Sequence, residues 1–189
     1  MRFALGGFVL AVAFARTDRP SGHRPQQSDC SLFAAAVTVA SDFQRTVVID
    51  STMLGTPMFA FLGASGYAKK PEEQGLALSD SVRHALEAVN SRRESLRECV
   101  RSRSGSTVSF DSLVAIFADT GGWKQFLARY PEAKSFVLVS RPLLLADSSA
   151  LIYVARASDW LNGAGSIVAF RRDATGRWMR QAQAFLWVS

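Results

Sequence analysis

The strongest constraint on the fold lies in the last third of the chain, where four segments rich in β-branched and aromatic residues follow one another across short connections. They cover residues 136–139, 151–154, 167–170 and 178–188. Residues 173–176, Asp-Ala-Thr-Gly, suit a tight hairpin turn because glycine tolerates the left-handed position. Consecutive strands with short connections pair antiparallel. The pattern therefore predicts an antiparallel meander of about four strands.

The chain before this meander has the periodicity of helices. Apolar residues recur at helical spacing in residues 31–44, 81–90 and 123–130, and residues 46–49 form one short β-branched run. Helices followed by strands are typical of an α+β domain. We therefore expect an α+β fold, with N-terminal helices packed on one face of the C-terminal meander, as a single domain over residues 30–189.

The first residues have the order of a secretory signal peptide. Arg2 supplies a positive charge, residues 3–14 are uncharged and almost wholly apolar, and residues 13–15, Ala-Phe-Ala, form a small-x-small site. This run is shorter than the about 20 apolar residues of a membrane span. We expect a signal peptide over residues 1–15, a flexible leader over 16–29, and a periplasmic or extracellular mature chain without a transmembrane span. The alternative, a buried N-terminal helix or strand, stays open.

The expected compartment determines how the two cysteines are interpreted. Cys30 and Cys99 are the only pair in the chain, and an oxidising environment favours a disulfide between them over two buried thiols. Two cysteines and two histidines are too few for a zinc-finger-like cluster. The chain contains neither a phosphate-binding loop nor the glycine fingerprint of dinucleotide sites. We therefore predict no metal and no cofactor.

Four residues are candidates for a pocket or a contact site, although no pattern assigns a catalytic residue. Asp50 and Ser51 follow the first strand, where polar groups gather at a site or close a turn. His84 lies on a helix face beside acidic residues, as a general base or as a solvated side chain. Trp160 stands between two strands, as a partner-binding tip or folded back over the end of the sheet.

The charge balance bears on the partners. The formal net charge is +6, which attracts a protein to anionic envelope surfaces. The densest basic run covers residues 92–103, with glutamates interleaved, and it indicates a solvated, partly ion-paired face. Export argues against nucleic acid, and it leaves an envelope protein or an anionic surface as candidate partners.

The last third also resembles a group of uncharacterised exported bacterial proteins. The similarity rests on Trp123, Phe126 and Tyr130-Pro131, on residues 150–154 (Ala-Leu-Ile-Tyr-Val), on Gly163-x-Gly165 and on the final Trp187-Val188-Ser189. The group usually has a glycine before the first meander strand, where this chain has Lys134-Ser135. The resemblance implies an architecture and an exported location, and it brings no activity.

These observations predict an exported bacterial envelope protein that acts by binding or as an accessory factor, rather than as an enzyme. The alternative is a cone-shaped α+β domain that encloses a small-ligand pocket, where Asp50 and His84 would be the first candidates for acid–base chemistry. An enclosed cavity lined by polar groups would favour the ligand-pocket hypothesis, and a filled core would favour the binding or accessory role. The ligand, partner, oligomeric state and biological process do not follow from the sequence.

Overall fold

A computed structural model describes most of the chain. The described residues are 27–40, 45–52, 71–101, 106–118, 121–145 and 148–188. The expected signal peptide and the leader up to residue 26 lie outside them.

The helices and strands alternate along the described chain. The helices are α1 (Gln27–Ala40), α2 (Asp80–Val89), α3 (Arg97–Arg101), α4 (Phe110–Ala118) and α5 (Gly122–Arg129), with a 3₁₀ turn at Pro71–Gln74. The strands are β1 (Thr46–Ile49), β2 (Ser106–Val108), β3 (Ser135–Val139), β4 (Leu143–Leu145), β5 (Ser149–Asp159), β6 (Asn162–Arg172) and β7 (Trp178–Val188).

All seven strands belong to one mixed sheet. Its order is β2-β1-β3-β5-β6-β7, and β4 pairs with β5 beside β3. β3, β5, β6 and β7 are antiparallel neighbours, which confirms the four-stranded meander. However, β1 pairs in parallel with both β2 and β3. A parallel pair needs a long crossover, and helices α2 to α5 lie within these crossovers rather than ahead of the sheet.

The expected packing on one face is therefore wrong, because helices cover both faces of the sheet. On one face, Phe33 and Val37 of α1 and Val100 of α3 pack against residues such as Val48 and Ile152. The physical reason lies in β1 and β3, whose residues are all buried. Strands buried on both sides require cover on both sides, as in α/β proteins.

The second face carries an aromatic core under α4 and α5. Trp123 of α5 stacks on Phe136 of β3 at 5.4 Å between ring centroids, and Phe126 meets the same ring edge-on at 5.7 Å. Trp187 of β7 is also buried on this face. Trp178 of the same strand lies on the first face and is only half-buried.

The predicted disulfide is confirmed. Cys30 in α1 and Cys99 in α3 are joined, with Cα atoms 4.9 Å apart. The bridge ties the two helices of the first face together. Among the described helices, none combines the length and apolar character needed to cross a membrane.

Candidate functional site

The parallel strands end together at one edge of the sheet, and polar side chains gather there. Asp50 follows β1, and its Oδ2 accepts hydrogen bonds from Nε and Nη2 of Arg97 at 2.7 and 2.6 Å. Asp50 is only 8% exposed. Its backbone N–H donates to the Val108 carbonyl, and its own carbonyl accepts from Leu96. The carboxylate is therefore held in an ion pair between β1 and α3.

Ser51 and Thr52 continue this edge through backbone pairing. Ser51 forms a single antiparallel bridge with Ser95. The Thr52 hydroxyl accepts from the Glu94 N–H at 2.9 Å, and the Thr52 N–H donates to the Glu94 carbonyl at 2.8 Å. These bonds satisfy the backbone where β1 ends, as a turn does.

Two further residues, which the sequence analysis missed, complete this strand-end network of Asp50, Thr52, Asn90, Glu94, Arg97 and Arg141. Arg141 Nε lies 2.8 Å from Glu94 Oε2. The Arg141 N–H donates to Asn90 Oδ1 at 2.6 Å, and Asn90 Nδ2 donates back to the Arg141 carbonyl at 3.1 Å. The only signal in the sequence was a polar residue, Asn90, at the end of a predicted helix. The network is a set of satisfied pairs that tie α2, α3 and the strand ends together.

His84 lies apart from this network. It is 79% exposed on α2, and its Nδ1 is 3.6 Å from Glu87 Oε2. Asp50 and His84, the two acid–base candidates, thus have separate partners within the described residues. His84 occupies a solvated helix face.

The first face of the sheet contains a small cavity beneath the disulfide. It measures about 10 Å³, and apolar side chains such as Phe33, Val48 and Leu96 line it together with Cys99. This volume is about that of one water molecule. The cavity therefore does not supply the polar ligand pocket of the alternative hypothesis.

Trp160 and Leu161 form the tip of the β5–β6 hairpin. Asp159 pairs with Asn162, so these two residues alone make the turn. The Trp160 ring meets Phe117 of α4 edge-on at 5.8 Å. A Cβ at Gly122 would lie 2.6 Å from the indole, so α5 approaches the ring closely because that residue is glycine. Trp160 nevertheless stays 61% exposed, and Leu161 is 84% exposed.

No family model, curated protein or solved structure matches this chain. The fold itself defines the class. The described residues form an α/β protein with a seven-stranded mixed sheet, helices on both faces and one disulfide.

Proposed function

We propose that this chain is an exported protein of the bacterial envelope that acts by binding another protein. Export is supported by the signal-peptide order at the N-terminus and by the Cys30–Cys99 bridge. Such bridges persist mainly in oxidising compartments. The resemblance to exported bacterial proteins points to the same location.

The observation that carries the binding proposal is the tip formed by Trp160 and Leu161. Phe117 and Gly122 hold the indole in one orientation, so ordering it on binding costs little conformational entropy. Exposed tryptophans in fixed orientations are frequent anchors of protein interfaces. Leu161 adds an exposed side chain beside it.

The shape of the tip defines the partner. A two-residue turn that presents an indole and an isobutyl group is convex, so its complement is a narrow apolar cleft on another protein. The same two helices that contact Trp160 also carry exposed apolar side chains, Val114 of α4 and Leu127 of α5, which are 36% and 44% exposed. Such a cleft would enclose Leu161 and one edge of Trp160.

Site-specific crosslinking in the producing cell tests this proposal. A photoreactive residue replaces Leu161, and a second variant carries it at Ala88, an exposed position on α2. We expect one defined crosslinked product from position 161 and no such product from position 88. The product should disappear on Trp160→Ala, because the anchor is lost.

A matched pair of variants separates binding from folding. Leu161→Ser should abolish co-purification of the crosslinked partner without lowering the melting temperature. Leu144→Ser changes another exposed leucine, which is 57% exposed on β4, and should leave binding intact. Equal crosslinking at both positions, or binding that survives Leu161→Ser, would refute the proposal.

A further inference from the structure

Two groups of arginines in this chain differ in their electrostatic partners. At the strand-end network, Arg97 pairs with Asp50 and Arg141 pairs with Glu94. Their charges are neutralised by carboxylates within the fold. A second group surrounds the turn between β6 and β7 and has a different set of partners.

This second group, the hairpin arginines, consists of Arg171, Arg172, Arg177 and Arg180. The segment that contains them includes a single acidic residue, Asp173, so the sum is 4 − 1 = +3 out of a formal net charge of +6 for the chain. Hydrogen bonds from the Thr175 hydroxyl and the Arg177 backbone lower the pKa of Asp173 to about 2, so it is ionised at neutral pH. Counting Asp147, which lies outside the described residues, the sum remains +2.

The hairpin arginines are oriented mainly by uncharged neighbours. The Arg172 guanidinium lies 4.7 Å from the centroid of the Trp178 ring, and Arg180 Nη1 donates to Gln183 Oε1 at 3.0 Å. Only Arg177 has a carboxylate, at 3.3 Å from Asp173. In the described part of the chain, Arg171, Arg172 and Arg180 form no ion pair. Positive charge is thus concentrated at this end of the sheet, and three of the four hairpin arginines have no ion-paired carboxylate among the described residues.

Apolar side chains accompany the charges on both faces of the hairpin. The register pairs Arg171 with Met179, which is 45% exposed, and Arg172 with the half-buried Trp178. Residues directly opposite in a sheet share a face. Each face of the hairpin end therefore combines a guanidinium with a large apolar side chain.

We propose that the end of the β6–β7 hairpin binds an anionic phospholipid surface. Guanidinium groups form bidentate hydrogen bonds with phosphate, and the interfacial region of a bilayer accepts tryptophan and methionine side chains below the headgroups. An acidic polypeptide would satisfy the arginines but would leave the exposed Met179 without a matching apolar surface. The combination of the two side-chain types therefore favours the lipid.

Vesicle flotation with the disulfide-bonded protein tests the proposal. The probe is a vesicle of phosphatidylglycerol and phosphatidylcholine, compared with phosphatidylcholine alone. We expect binding only to the anionic vesicle, weakening as salt rises. The triple variant Arg171→Gln, Arg172→Gln, Arg180→Gln should bind roughly a hundredfold more weakly, because each basic residue near an anionic surface contributes about fivefold.

A control variant that loses the same number of positive charges shows whether binding depends on the hairpin arginines or only on the net charge. Arg92→Gln, Arg101→Gln, Lys124→Gln removes three exposed charges from other elements and should weaken binding by a few fold only. Equal losses in the two triple variants would overturn the proposal. So would wild-type protein that ignores the anionic vesicle but binds poly-glutamate, because the occupant would then be an acidic polypeptide.

Discussion

At the scale of single residues, a buried hydrogen bond on the second face of the sheet restricts which side chains fit around it. Trp187 Nε1 donates to the Tyr153 hydroxyl at 2.8 Å, and both side chains are at most 4% exposed. Gly165 lies directly against both groups, so any Cβ there would overlap the indole nitrogen and the phenol oxygen. The pair satisfies groups that would otherwise be costly to bury.

Tyr153→Phe should destabilise the protein, since it leaves the Trp187 N–H buried without this acceptor. The expected loss is about 1–3 kcal/mol of unfolding free energy, measured by urea denaturation. Tyr130→Phe removes a hydroxyl at a half-buried position and should cost less than about 0.5 kcal/mol. If the two variants were equally stable, the hydrogen bond would have no net effect.

The same tyrosine predicts an alkaline stability change. Burial raises the pKa of Tyr153 above its ordinary value of 10.0, and the Trp187 hydrogen bond only partly opposes this effect. Above about pH 10 the unfolded chain loses the phenolic proton while the folded chain keeps it. The contribution of the neutral Tyr153 phenol to the unfolding free energy is therefore complete below that pH and declines above it. The stability difference between wild type and Tyr153→Phe should shrink as pH rises from 9 to 11; a constant difference would contradict this assignment.

At the scale of elements, a side chain from the 3₁₀ turn protects the exposed edge of the outer strand β7. The side-chain amide of Gln74 donates to the Phe185 carbonyl at 2.7 Å and accepts from the Phe185 N–H at 2.8 Å. These are the two bonds that a neighbouring strand would make. β7 is eleven residues long, and Phe185 and Val188 are 41% and 46% exposed. Long apolar edges of this kind promote association.

Gln74→Ala should open this edge. We expect faster hydrogen exchange at the Phe185 amide and concentration-dependent self-association in light scattering. Glu73→Ala, an exposed neighbour in the same 3₁₀ turn, serves as the control and should change neither. Unchanged exchange at Phe185 in Gln74→Ala would show that the amide does not protect the edge.

The link between α1 and α3 belongs to the same scale. The Cys30–Cys99 bridge has a sequence separation of 69, and closing a loop of that length stabilises a fold by about 4 kcal/mol in the chain-entropy model. Reduced wild type should therefore lose about 4 kcal/mol in denaturation. Cys30→Ala/Cys99→Ala should not respond to reductant, and a wild type equally insensitive to it would disprove the stabilisation.

At the scale of the whole molecule, compartment and covalent structure depend on each other. The first face of the core is held by a bridge between α1 and the short helix α3, and such a bridge requires an oxidising environment to form. N-terminal sequencing of protein collected outside the cytoplasm should begin at Arg16 or within a few residues of it. Recovery of the folded, disulfide-bonded protein with Met1 retained in the cytoplasm would contradict export.

The meander was predictable because its signals are local. Strand period and the Asp173 to Gly176 turn act between near neighbours, and they place β3, β5, β6 and β7 in order. The disulfide was predictable because the chain offers only one pair of cysteines. For His84 the sequence left two alternatives, a general base or a solvated side chain, and the structure places it on an exposed helix face beside Glu87.

Features that depend on pairing between distant segments of the chain were determined only by the tertiary structure. β1 finds both of its neighbours, β2 and β3, much later in the chain, and no local pattern encodes a parallel partner. The resulting sheet is buried on both faces at β1 and β3, which is why helices occupy both sides. The ion pairs of Asp50 and Arg141 form only once those strand ends meet.

Burial within β7 was decided in the same way. The strand contains two tryptophans at an odd separation, and alternation along the strand places them on opposite faces of the sheet. Trp187 is buried beside Tyr153 on the second face, whereas Trp178 is half-buried on the first face under Arg172. The sequence of β7 determined that it is a strand with its tryptophans on opposite faces, and only the assembled sheet determined how deeply each is buried, because burial depends on the elements that cover each face.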